Sequence, residues 1–107
     1  MQRATIVRYT TKPERADENE ALSRAVFAEL RRKPGQPFAY ALLRQGDDFL
    51  HLFLNLEADS ADSLVELDSF KAFAAGGAKR WTGPAEIGRY SMNLVEAYGF
   101  ESATALA

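Results

Sequence analysis

Residues 47–57 read DDFLHLFLNLE. Read as a β-strand, this stretch has no wet side. Alternation sends Leu50, Leu52, Leu54 and Leu56 one way and Phe49, His51, Phe53 and Asn55 the other, because successive side chains of a strand point to opposite faces. An antiparallel sheet with helices on one face normally leaves the other face polar and solvated. The question is what covers the second face here.

The flanking sequence supplies a partner strand. FAYALLRQ, residues 38–45, is rich in aromatic and aliphatic residues, and QGDD with Gly46 makes a short turn, so residues 38–45 and 49–57 pair as a hairpin. Upstream, RATIVRYT (3–10) reads as a first strand. Pro13 suits a turn or the first position of a helix, and Asp17 with Glu20 has capping-box spacing. Residues 18–33 then place Leu22, Val26 and Leu30 on one helical stripe, with Arg24, Glu29 and Arg31 facing water, and KPGQP ends the helix. A second helix is predicted over 64–81, where Leu67, Phe70, Phe73, Ala74, Gly77 and Trp81 share a stripe. Gly76-Gly77 either ends it early or admits a close backbone approach. Residues 87–98 read as a fourth strand.

The order β-α-β-β-α-β predicts an α+β, ferredoxin-like domain over residues 1–100, a four-stranded antiparallel sheet with two helices on one face, and a C-terminal tail over 101–107. In this reading the leucine set of residues 50–56 lies beneath the helices, over the small Ala39 and Ala41 and Leu43. Phe38, Tyr40 and Leu42 then join Phe49 and Phe53 on the open face, and Thr5, Val7 and Tyr9 are the first-strand set that suits a cavity lining. Such a patch, roughly several hundred Å², marks an interface or ligand site. Two such sheets facing each other across a two-fold axis bury it. The expected partner is therefore a second copy of the chain, a homodimer through the open sheet face.

Composition narrows the function classes. The 107 residues include 13 basic and 15 acidic side chains for a formal charge of -2, which is not the basic footprint nucleic acid demands. RNA-recognition domains share this topology and alternate aromatics on a central strand, but Asp47 and Asp48 stand where their motif begins with a basic residue and glycine. With no cysteine, thiolate nucleophiles and zinc–thiolate sites are excluded. No run approaches the ~20 apolar residues that span a bilayer, and MQRATIVRYT has no secretory pattern. A cytoplasmic protein without membrane or nucleic-acid partners is expected.

The βαββαβ order, the doubly apolar central strand and the FKAF…RW…P passage into the last strand resemble the dimeric α/β-barrel superfamily, including antibiotic-biosynthesis-monooxygenase-like and stress-responsive barrel proteins. The resemblance covers nearly the whole chain as a pattern, not as a diagnostic motif. It implies two ferredoxin-like subunits forming a barrel, with a pocket between each sheet and its helices or loops. The activities it implies range from cofactor-independent oxygenation and haem degradation to simple ligand binding, so it predicts shape better than chemistry.

Candidate chemistry centres on His51, the only histidine. A desolvated imidazole stays neutral and basic, fit to act as a general base towards a phenolic O–H or an acidic C–H; a histidine merely hydrogen-bonded within the sheet is the bland alternative. Lacking a second histidine or a set of nearby acids, it does not make a metal site. Tyr40, on the adjacent strand, is placed to hydrogen-bond a substrate oxygen or simply to pack. Arg89 is a candidate for an enolate or carboxylate. Phe38, Phe49, Phe53, Asn55 and Trp81 are the candidate substrate-binding residues; in monooxygenase-like barrels tryptophan, asparagine and arginine often line the pocket, and Trp81 resembles that tryptophan in place. Haem-degrading relatives pair a strand-one asparagine with a late histidine, and neither is present. Three functions stay open. The first is a cofactor-independent monooxygenase-like enzyme on a small aromatic or polyketide-like substrate. The others are a non-catalytic or stress-related barrel that binds a small apolar ligand, and a purely structural dimer. The absence of an evident acid to orient His51 favours the last two.

Overall fold

The computed structural model describes residues 2–56 and 64–99. Strand β1 (Arg3–Thr10) leads through a 3-10 turn (Pro13–Arg15) into helix α1 (Ala16–Arg31). Strands β2 (Phe38–Gln45) and β3 (Asp48–Asn55) form the hairpin; α2 (Asp68–Ala75), the short α3 (Gly77–Arg80) and β4 (Glu86–Ser91) follow. The sheet order is β2-β3-β1-β4, every neighbouring pair antiparallel. This is the predicted ferredoxin-like arrangement. Gln45 pairs with Asp48, so the hairpin turns on two residues, and Gly46 at φ +60° supplies the positive dihedral that such a turn needs at its first position.

The registers group side chains as the sequence suggested, but the helices lie on the opposite face from the one expected. Directly paired residues share a face, so one side of the sheet carries the rows Phe38-Asn55-Arg3-Ser91, Tyr40-Phe53-Thr5-Arg89, Leu42-His51-Val7-Ile87 and Arg44-Phe49-Tyr9. This side faces the helices: Phe49 is 1% exposed, and Tyr9, Phe53, Val26 and Phe73 complete the core around it. Leu50, Leu52 and Leu54 are only half-buried, on the open side with Ala39, Ala41, Ala4, Ile6 and Gly88. The physical reason is volume. A helix layer standing over a sheet leaves a gap that aromatic rings fill and alanines do not. The small residues that suggest room for helices instead make the open side flat.

Three local readings also change. Asp17 and Glu20 do not form a capping box; both carboxylates bind Arg44 Nη1 at 3.1 Å. The helix begins at Ala16, one position before Asp17, out of the turn that Pro13 opens, so Asp17 is already inside it. Glu29 does not simply face water. Its carboxylate accepts the Ser69 backbone N–H at 3.1 Å and the Ser69 hydroxyl at 2.6 Å, capping α2 from a neighbouring helix. Finally, β4 ends at Ser91 rather than 98, where its pairing with β1 runs out at Arg3. Residues 101–107, read as a tail, lie outside the described residues.

The diglycine does both things expected of it. α2 stops at Ala75, and the chain restarts as α3 after Gly76. A side chain on Gly77 would meet the Trp81 ring at 3.0 Å, and one on Gly76 would strike the Arg80 guanidinium. The two glycines thus let Arg80 and Trp81 fold back beneath the helix layer, which positions the site.

Candidate functional site

Between the aromatic side of the sheet and α2 lies a cavity of about 410 Å³. Its floor is Thr5, Val7, His51 and Phe53; Phe70 and Phe73 roof it, and Trp81 closes one end. Ile87 and Arg89 on the edge strand β4 form its open side. The volume falls in the range of small-molecule sites, which are mostly apolar with a few converging polar groups.

The polar groups here form one chain. His51 Nε2 is 2.7 Å from Tyr9 Oη, and its Nδ1 is 2.5 Å from Tyr40 Oη. Asn19 Nδ2 donates to Tyr9 Oη at 2.9 Å. The same amide's Oδ1 accepts from Arg80 Nε at 2.9 Å and from Trp81 Nε1 at 3.1 Å. Two donors on Oδ1 fix the amide orientation, so its NH₂ must face Tyr9. We assign the proton order accordingly: Tyr9 accepts from Asn19 and donates to Nε2, the imidazole carries its proton on Nδ1 and donates to Tyr40, and the Tyr40 O–H is left for a ligand in the cavity.

Burial sets the protonation states. Desolvation lowers the His51 pKa to about 4, so the imidazole is neutral at physiological pH. Burial raises Tyr40 above the usual phenol range, with the neighbouring Tyr9 adding to it. Tyr9 is raised as well, chiefly by burial, against the lowering effect of its hydrogen bonds with Asn19 and Ser23 and of the Arg80 charge. Neither phenol is ionised at neutral pH. The site is a neutral, pre-ordered set of donors and acceptors.

Among the candidate residues, His51 and Tyr40 are hydrogen-bonded to one another, and both line the cavity with Phe53, Trp81 and Arg89. Arg89 reaches the cavity from β4, the edge strand remote from β2 and Tyr40. Phe49 is sealed under Tyr9, the ring centroids 5.6 Å apart, and does not line the cavity. Phe38 packs on Phe53 at 4.9 Å and faces a separate groove beside the end of α1. Asn55 is buried off the cavity wall. Sequence reasoning passed over Asn19 and Arg80 and gave Tyr9 no role beyond lining. Asn19 and Ser23 lie on the buried stripe of α1 with Val26, and a polar residue in such a stripe was the available signal. No cluster of three or more His, Cys, Asp or Glu side chains suited to a metal ion occurs among the described residues.

No protein-family model matches the chain, and no curated protein matches it by sequence. Solved structures match it by fold. Rv0793 from Mycobacterium tuberculosis superposes with a TM-score of 0.74 at 19% identity, covering 91% of this chain and 99% of its own. A protein described as an antibiotic biosynthesis monooxygenase gives 0.71 at 17% identity, over 86% of this chain and 98% of its own. SnoaB, a cofactor-independent oxygenase from Streptomyces nogalater, gives 0.64 at 17% identity, over 88% and 95%. The chain therefore has the ferredoxin-like fold of antibiotic-biosynthesis-monooxygenase-like proteins, as the sequence resemblance implied. No helix among the described residues is long and apolar enough to cross a membrane.

Proposed function

We propose that the protein is a homodimer whose subunits each take a small aromatic or polyketide-like molecule into the cavity beside His51 and oxidise it in the manner of a cofactor-independent monooxygenase. The observation that carries this reading is a ready-made cavity with a neutral histidine held between two phenol oxygens at its floor. In the other imidazole tautomer, with the proton on Nε2 facing Tyr9, the Tyr40 O–H points at Nδ1. A phenolic substrate placed against Tyr40 then loses its proton to the Tyr40 oxygen as Tyr40 passes its own proton to Nδ1. The resulting phenolate is electron-rich enough to be the reductant for dioxygen itself. One oxygen atom stays on the ring, making a quinone, and the other leaves as water, so no external reductant enters the balance. Tyr40 and His51 are the catalytic pair; Phe53 and Trp81 hold the rings.

The half-buried leucine side of the sheet supports the dimer. Leu50, Leu52 and Leu54 lie with Leu43, Ile6, Ala4, Ala39 and Ala41 in an apolar patch, edged by Arg8, Glu86 and Tyr90, of the kind two sheets bury at ~10 Å separation.

A second reading is favoured by one observation. With a pKa of about 4 and both nitrogens engaged, His51 is a weak base at neutral pH, which suits a protein that binds without turning over. Oxygen uptake with a quinol or anthrone-type substrate separates the two. Turnover that falls at least a hundredfold in His51→Gln supports the enzyme, and turnover unchanged in that variant removes His51 from the mechanism. Binding without oxygen uptake leaves the ligand carrier. Sedimentation at ~10 µM tests the dimer: a stable single subunit would rule it out.

A further inference from the structure

The cavity has a second polar feature that the His51 network does not use. Arg3 and Arg89 both line it. Arg3 pairs with Ser91 and Thr5 with Arg89, so the two arginines are diagonal neighbours across β1 and β4, their Cβ atoms ~7 Å apart. Neither has an ion-pair or hydrogen-bond partner among the described residues. The Arg3 Nε is shielded from water even so. Elsewhere Arg15, Arg24 and Arg44 are each bound by a carboxylate, and Arg80 by Asn19 and the Phe73 carbonyl. No acidic side chain lines the cavity among the described residues.

Arg3, half-buried with its Nε shielded, carries a desolvation cost, while Arg89 stands exposed at the cavity rim, and two guanidinium groups side by side repel. A carboxylate removes both penalties, because its two oxygens match the planar fork of arginine. The arginines sit at the β4 side of the cavity, and His51 lies two strands away. By register, Arg89 is one pleat along and two strands across from His51, ~12 Å between backbones. Once both side chains reach inward, two or three fused rings fill that gap. We propose that the ligand is an aromatic acid, its carboxylate held between Arg3 and Arg89 and its rings lying over Val7 and Phe53 toward Tyr40. This rests on the cavity being the ligand site, as proposed above, and adds the charge of the ligand and the residues that select it.

Calorimetric titration with a matched pair of probes tests it: 6-hydroxy-2-naphthoate, which carries the acid, and 2-naphthol, which does not. The wild-type protein should bind the acid ten- to a hundredfold more tightly, the size expected of hydrogen bonds to a charged group. Arg3→Gln and Arg89→Gln should each erode that preference, and the double variant should abolish it while leaving naphthol affinity unchanged. Arg3→Lys should recover part of it, since charge is kept but the planar fork is lost. Circular dichroism confirms that the variants fold. Equal affinity for the two probes in the wild type overturns the acid seat alone, as does a uniform loss of both in the arginine variants. If neither probe binds, the cavity reading itself falls, and the acid seat with it.

Discussion

The two faces of this sheet are both apolar, yet they are built from different residues for different neighbours. One face carries Tyr9, Phe38, Tyr40, Phe49 and Phe53, with His51 among them, and lies under the chain's own helices. The other carries Leu50, Leu52 and Leu54 with Ile6, Leu43 and alanines, edged by Arg8, Glu86 and Tyr90, and the chain's own helices leave it open. Large rings leave irregular gaps that become a cavity and bring polar atoms to its wall. Leucines beside small residues make a smooth surface and no pocket. The difference teaches that apolar alternation marks where burial is needed, whereas side-chain shape decides whether the chain's own helices supply it.

The largest expected effect on the subunit's own stability comes from the aromatic face. Phe49→Ala should cost ~3–5 kcal/mol in urea denaturation, since the residue is fully buried and stacked beneath Tyr9. The loss should leave a weakened subunit, not a dissociated one. A cost below ~1 kcal/mol would show that the helix layer is not tightly packed on this face.

Next in size is an acid titration on the same face. His51 has a folded pKa of about 4 against 6.5 when exposed, so folding favours the neutral imidazole. Its contribution is present above pH 6.5 and is lost as the pH falls from there to about 4, because the unfolded chain takes up the proton first. Each pH unit between the two values is worth about 1.4 kcal/mol, which makes the whole change ~3 kcal/mol. Urea midpoints between pH 7 and 4 should fall accordingly. His51→Gln should flatten this part of the profile; an equally steep profile in the variant would place the titrating group elsewhere.

Leu52→Asp probes the opposite face. Leu52 pairs with Ile6 and Ala41 in the middle of the open side. A charge there should cost the isolated subunit only ~1 kcal/mol through strand propensity, yet it should split the proposed dimer and halve the mass seen by sedimentation. Adjacent residues of one strand thus give opposite failures: Phe53→Ala should weaken the fold and keep the proposed dimer, and Leu52→Asp should do the reverse.

These contrasts show what the sequence made legible. Strand alternation grouped the faces correctly, because period two is a geometric necessity, and helix punctuation at Pro34-Gly35 and Gly76-Gly77 placed the elements. Which face the helices would cover was not legible, since both alternating sets of β3 are apolar and hydropathy alone cannot rank them. The pairing of His51 with Tyr40 followed from the hairpin, whose register is local. Tyr9, Asn19 and Arg80 come from separate elements, with Asn19 and Arg80 61 positions apart. No local pattern announces that a buried amide will accept from an arginine and a tryptophan on another helix.

The smallest effect concerns the layer that separates the two environments. Glu29 holds the start of α2 through the Ser69 hydroxyl and backbone N–H, and these bonds, with Lys33 at 3.3 Å adding less, lower its carboxyl to about 2. The folded value lies below the ordinary 4.5, so the contribution is present above pH 4.5 and is lost as the pH falls towards 2. That window lies almost wholly below the one for His51, which lets acid unfolding read the helix seam and the aromatic floor in turn. Glu29→Gln should lower the melting temperature slightly and remove the lower window alone. It should also speed amide exchange in α2, the roof of the cavity, while the sedimenting mass stays that of the unsubstituted protein, because the leucine face takes no support from this cap. Were the variant to dissociate, the two faces would be coupled through the sheet, and the division between a helix-covered site and an independent docking face would no longer hold.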